Sequence, residues 1–233
     1  MNAHEQTTRD KTLTDEVLAA GNQEASGTGY GPGAPSTFGV ASQTPDRALV
    51  EDIVRERHRF IVIVVAGALV TAALVAFGLE HKADYSLGFL GSSRMGSLGL
   101  KSKIATGLLG LGLLQLFLAF WMLGRLPGIG TAARKVGRLH RTAGLVLFLP
   151  TLPVAVHCML AYGVRFSSTR ATVHSLAGCF FYGAFVAKIL VVRSRTLPGW
   201  ALPIAGGLLV AAIGVLWYSS ALWFFNGYHL PFG

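Results

Sequence analysis

The sequence predicts an all-α fold, an integral membrane bundle of five transmembrane helices behind a disordered N-terminal tail. Five apolar runs carry this reading: Phe60–Leu79, Ile104–Leu123, Ala143–Tyr162, Ser175–Val192 and Trp200–Phe225. Each is close to or above the roughly 20 residues that cross the hydrocarbon of a bilayer. Of these runs only the fourth holds a charge, Lys188, near its end, where the amine can extend to the headgroups. None has the polar stripe at every third or fourth residue that a soluble core helix would show.

In chain order, residues 1–57 are expected to be a disordered tail. Gly21 to Ser42 is rich in Gly, Ser, Thr and Pro, and its few large apolar residues cannot offset the entropy of ordering. Ala48 to Arg59 has mixed charge and some amphipathic spacing, which suggests a short helix lying at the interface. No apolar h-region precedes Phe60, so the first span reads as an uncleaved anchor rather than a signal peptide. Residues 58–226 then form the transmembrane domain, and residues 227–233 a short external tail.

Basic residues near the span ends set the expected orientation. With the amino terminus inside, the cytoplasmic side receives Arg47, Arg55, Arg57 and Arg59, then Arg125, Arg134, Lys135, Arg138 and Arg141, then Lys188, Arg193 and Arg195. The other side receives Lys82, Arg94, Lys101, Lys103, Arg165 and Arg170. The richer side stays inside, which predicts a multi-pass protein of the cell membrane with a cytoplasmic N-terminus and an external C-terminus.

The charge distribution excludes whole classes of chemistry. There are 11 acidic and 20 basic residues, and every acidic one lies at or before Asp84. From Tyr85 onward there are no paired carboxylates for glycoside cleavage and no acidic oxygens for magnesium or calcium. The carboxylate relays common in proton and sodium carriers are missing too, which weakens a transporter reading. The positive excess suits anionic lipid headgroups of the bilayer. A sharper reading pairs Arg141, Arg165 or Arg170 with haem propionates. Nucleic acid is not an expected partner, since no base-reading motif accompanies these charges. Cys158 and Cys179 lie in spans three and four without a Cys-x-x-Cys arrangement and read as small buried thiols, with a bridge left open.

Ionisable residues at membrane depth mark functional sites by default. In the expected topology His157 lies about five residues below the outer end of span three, and His174 just under the same surface at the start of span four. Imidazoles on consecutive antiparallel helices at similar depth suit the two axial positions of a haem iron. Gly144 and Gly178 each follow a histidine by four residues, leaving room on that face for a flat macrocycle or, equally, for close helix packing. Phe181 and Phe185 continue the face on span four as apolar rings suited to a porphyrin edge. Pro150 and Pro153 should bend span three just before His157. His140 falls at headgroup level beside Arg138 and Arg141, where it is either solvated or, with His58, part of a second site. His81 and His229 are alternative outer ligands, and His4 lies in the tail.

Gly-Arg-Leu-His-Arg-Thr-Ala-Gly at 137–144, His-Cys at 157–158 and Val-His-Ser-Leu-Ala-Gly at 173–178 resemble the helix entrances of membrane b-type cytochromes of the ferric-reductase and ascorbate-dependent kind. The resemblance implies haem b, ligands at His140, His157 and His174, and electron transfer across the membrane. Spans two and five carry no histidine, so one haem rather than two is expected. The chain as a whole is similar to a group of five-helix actinobacterial membrane proteins, a likeness that implies no particular activity. Trp217, Tyr218, Trp223, Phe224, Phe225 and Tyr228 cluster at the outer end of span five, either as an interfacial belt or as a wall beside a cofactor.

The expectation is therefore one b-type haem between spans three and four near the outer surface, with His157 and His174 on the iron. It would pass electrons between a quinone pool and an external redox protein. The competing reading is a cofactor-free scaffold or assembly subunit.

Overall fold

A computed structural model describes residues 47–230, apart from Ile129, Thr131, Arg195 and Thr196. The expected disorder of the tail before Arg47 lies outside the described residues. The described chain is helical: α1 (Arg47–Glu80), α2 (Arg94–Met122), α3 (Arg134–Tyr162), α4 (Thr169–Arg193) and α5 (Ala201–Trp217). A π-helical turn, Tyr218–Leu222, and a final turn, α6 (Trp223–Phe225), continue α5. Five of these segments are long and apolar enough to cross a membrane. The protein is thus a multi-pass membrane bundle in contact with lipid, as its outward apolar side chains on α1 (Ile61, Val62, Val65, Leu69) require.

Four helices begin earlier than the apolar runs, α4 at Thr169 rather than Ser175 among them. α1 starts at Arg47, so residues 47–57 belong to the first helix rather than to a disordered tail or a separate interfacial helix. The cause is local: no Gly or Pro falls between Arg47 and Gly67, and Glu51 to Arg55 supplies a favourable i,i+4 pair. α2 starts at Arg94 because Ser93 caps it, accepting a hydrogen bond from Gly96 N. The loop between α1 and α2 therefore shrinks to residues 81–93, and Lys101 and Lys103 become helical. α3 starts at Arg134. A helix that leaves the hydrocarbon need not stop there, so hydropathy marks the span and misses its polar extension.

Neighbouring pairs are α1 with α4, α4 with α5, α5 with α2, and α2 with α3. Leu147, Phe181, Ala184, Leu209, Ala212 and Ile213 form the core. α1 and α4 meet at glycines: a methyl group on Gly67 would lie 2.9 Å from the carbonyl oxygen of Gly183. This is the small-residue contact through which membrane helices approach. α3 and α4 are joined differently, since their backbones stay apart and large side chains fill the seam. Phe148 of α3 stacks on Phe185 of α4 at 3.8 Å between centroids and 6° between planes. Tyr182 donates from its hydroxyl to Thr151 O at 2.9 Å. Pro150 and Pro153 lie inside α3, which runs through both without ending.

Candidate functional site

The end of the bundle at which α1 begins is proximal, and the other end is distal. His157 and His174 lie at the distal end, and each turns to a different neighbour.

His157 is buried, at 8% exposure, because α3 faces α2 and the 81–93 loop there. Its Nε2 lies 3.2 Å from Leu87 O, and a carbonyl can only accept, so Nε2–H is the donor. Nδ1 is then the acceptor for the Lys101 ammonium at 3.3 Å. Phe89 and Tyr162 place ring edges around the imidazole at 5.2 and 6.0 Å. Lys101 also sits 4.7 Å over the Tyr162 ring and 3.9 Å from Cys158 Sγ.

The loop is fixed over this pair. Phe89 N donates to Ser97 Oγ at 2.8 Å, and Asp84 N donates to Leu160 O at 3.1 Å. Asp84 accepts from the amide and hydroxyl of Ser86, and these bonds hold its carboxyl below the usual carboxylate range.

His174 faces α5. Its Nδ1 lies 2.9 Å from Ser219 Oγ, and that hydroxyl donates to Val215 O at 2.7 Å. With the serine proton on Val215 O, the matching tautomer has His174 Nδ1–H donating and Nε2 keeping its lone pair. No described residue bonds to that Nε2. The π-helical turn creates the arrangement, since it brings Ser219 O to the guanidinium of Arg170 at 3.0 Å and Ser219 Oγ to His174. Such turns are frequent at functional sites. Arg170 also lies 3.7 Å over the Trp223 ring, so this aromatic of span five serves the distal cluster and not only an interfacial belt. Both Arg170 and Lys101 are within electrostatic reach of His174.

The other expected residues are placed as follows. Gly144 faces Gln115 of α2, and Gly178 faces Leu216 of α5, so both lie at helix contacts. Arg165 is hydrogen-bonded to the Tyr85 hydroxyl and lies over the same ring. Arg141 donates to Gly137 O on its own helix at 3.3 Å. His140 lies at the proximal end within electrostatic reach of Lys188, and its buried Nδ1 has no hydrogen-bond partner. His58 borders a surface groove beside Val50 and Val54, and His81 stacks on Phe77 at 5.4 Å. Both cysteines are free thiols. Among the described residues no three His, Cys, Asp or Glu side chains gather into a metal-binding group.

Sequence reasoning missed Lys101 and Ser219. Lys101 counts as a loop charge until α2 is extended to Arg94, after which Ser97 and Lys101 share a helix face four residues apart. Ser219 has no sequence signal of its own, because the π-helical turn shifts its register.

A search of curated proteins returns no match, and a search of solved structures likewise returns none. A family model described as "Family of unknown function (DUF6529)" matches residues 60–232, which run from within the first membrane helix through the fifth. The chain belongs to this DUF6529 family.

Proposed function

We propose that the protein is a membrane electron-transfer protein that holds haem b at the distal end of the bundle, with His174 as the primary iron ligand and the distal end facing outward. The observation that carries this is the seat of His174 beside Ser219: a hydroxyl that donates to Val215 O accepts from His174 Nδ1–H, which leaves Nε2 with a free lone pair. A neutral imidazole whose other nitrogen is fixed by an acceptor is the state in which histidine binds metal. The likeness of residues 137–144, 157–158 and 173–178 to b-type cytochrome motifs supports the same reading.

The donor set fits haem fully at His174 and conditionally at His157. To serve as a second iron ligand, His157 would have to release either Leu87 O or Lys101, because both its nitrogens are engaged. When bound, haem supplies a reversible one-electron carrier. The chain's own residues do the rest. Ser219 orients the ligand, while Lys101 and Arg170 offer positive charge to propionates that no acidic side chain after Asp84 could repel. Phe89, Tyr162 and the 81–93 loop keep water from the buried imidazole of His157. The partners of this reading are a quinone pool in the bilayer and an external redox protein.

The test is a reduced-minus-oxidised absorbance spectrum of membranes expressing the protein with added haem. Wild type gives a b-type difference. His174→Ala abolishes it, and His157→Ala converts a low-spin signal to a high-spin one. A flat spectrum from well-expressed wild type refutes the haem reading and favours a cofactor-free scaffold in which Lys101 and Leu87 hold His157 as packing.

A further inference from the structure

The proximal end carries a second unusual arrangement, distinct from the distal histidines. α4 presents one face through Phe181, Ala184, Phe185 and Lys188, and its first three residues pack into the bundle core. Lys188 therefore continues a buried face, five residues before the end of α4 at Arg193. On α3, His140, Ala143 and Leu147 follow one another at helical spacing, and Ala143 and Leu147 are buried. His140 and Lys188 lie within electrostatic reach of one another at the proximal end of the α3–α4 seam.

Neither group is satisfied by the protein. His140 Nδ1 is buried without a hydrogen-bond partner. The Lys188 amine has no hydrogen bond or ion pair among the described residues, and no acidic residue exists anywhere after Asp84 to supply one. A half-buried positive charge with no counter-charge is costly, and an orphaned imidazole nitrogen within its electrostatic reach adds to that cost. What would satisfy both is one oxyanion lying between them.

We infer that the phosphate of an anionic phospholipid seats in this mouth, accepting from Lys188 Nζ and from His140 Nδ1–H. The seam favours a lipid over a free ion. α3 and α4 do not close backbone to backbone, so the mouth opens sideways to the bilayer. The side chains flanking it, Leu139, Ile189 and Val192, are exposed and apolar, as acyl chains below a headgroup require. Arg141 and Arg193 stand at the rim, where further lipid phosphates lie. Nothing in this site depends on haem at the distal end.

The experiment uses the full chain, solubilised and exchanged into mixed micelles containing phosphatidylglycerol or phosphatidylcholine, with bound lipid read by native mass spectrometry. Wild type retains phosphatidylglycerol in preference to phosphatidylcholine. Lys188→Gln lowers that retention by about tenfold, the weight of one charge-assisted hydrogen bond. Lys188→Arg keeps it, which separates loss of charge from loss of fold, and His140→Ala gives an intermediate loss. Equal retention of the two lipids by wild type would overturn the inference, as would a Lys188→Gln variant that retains phosphatidylglycerol like wild type. Displacement of the lipid by millimolar inorganic phosphate would assign the site to a free anion and overturn the lipid assignment.

Discussion

Replacing Ser219 by alanine isolates the feature on which the distal site rests. Ser219 is 3% exposed, and its hydroxyl oxygen lies 2.9 Å from His174 Nδ1. Without it the Nδ1–H is buried with no partner, which costs about 1–3 kcal/mol. The neutral imidazole is then free to exchange tautomers and rotate. Orienting partners of this kind are worth about 10–100-fold in metal affinity, or about 1.4–2.8 kcal/mol at 1.4 kcal/mol per tenfold, so the two routes agree. Ser220→Ala is the matched control. Its hydroxyl only donates to Leu216 O at 2.6 Å on the same helix, and it does not touch His174. The bond from Arg170 survives both changes, because it is made to the backbone oxygen of Ser219. Haem titration into solubilised protein, followed at the Soret band, should show about 10–100-fold weaker binding for Ser219→Ala and binding within about twofold of wild type for Ser220→Ala. Equal affinity of the two variants would refute the orienting role of Ser219.

Other consequences concern the scaffold. A methyl group at Gly183 would collide with Gly67 O and Thr71 Oγ1, so Gly183→Ala should destabilise by about 1–3 kcal/mol or more, read as a lower melting temperature in detergent. Gly107→Ala, where a methyl meets nothing within 4 Å, should be neutral or stabilise by about 0.5–1 kcal/mol. Equal melting temperatures for the two variants would contradict the α1–α4 contact. Because the carboxyl of Asp84 is held below the ordinary range, the loop bonds it makes are complete above that range and are lost as pH falls through the lowered value. The protection factor of the Ser86 amide should therefore fall on acidification through that window in wild type, and be low throughout in Asp84→Ala. Reporter fusions after Arg195 and Gly233 should read inside and outside respectively, and the reverse result would place the distal cluster in the cytoplasm.

Hydropathy alone was enough to locate five spanning helices, because a lipid-facing helix must be apolar over its whole crossing. It could not locate where those helices begin, since polar turns beyond the hydrocarbon, such as Arg94–Lys103 and Arg134–Thr142, obey capping and propensity instead. The same error hid Lys101. Spacing placed His157 and His174 at the same end of the bundle, but depth says nothing about rotation around a helix axis. That rotation directs His157 toward α2 and His174 toward α5. Gly144 and Gly178 show the same limit: a residue four positions from a histidine shares its face, yet the partner on that face is set by helix order. The order places α3 beside α2, and α4 between α1 and α5, which a list of spans does not contain.

Haem content of the purified chain tests the central claim most directly. After expression with added haem and removal of unbound pigment, pyridine haemochromogen analysis should give close to one b-type haem per wild-type chain and essentially none for His174→Ala of equal yield and melting temperature. Equal haem in the two proteins, or none in either, would contradict a distal haem site built on His174.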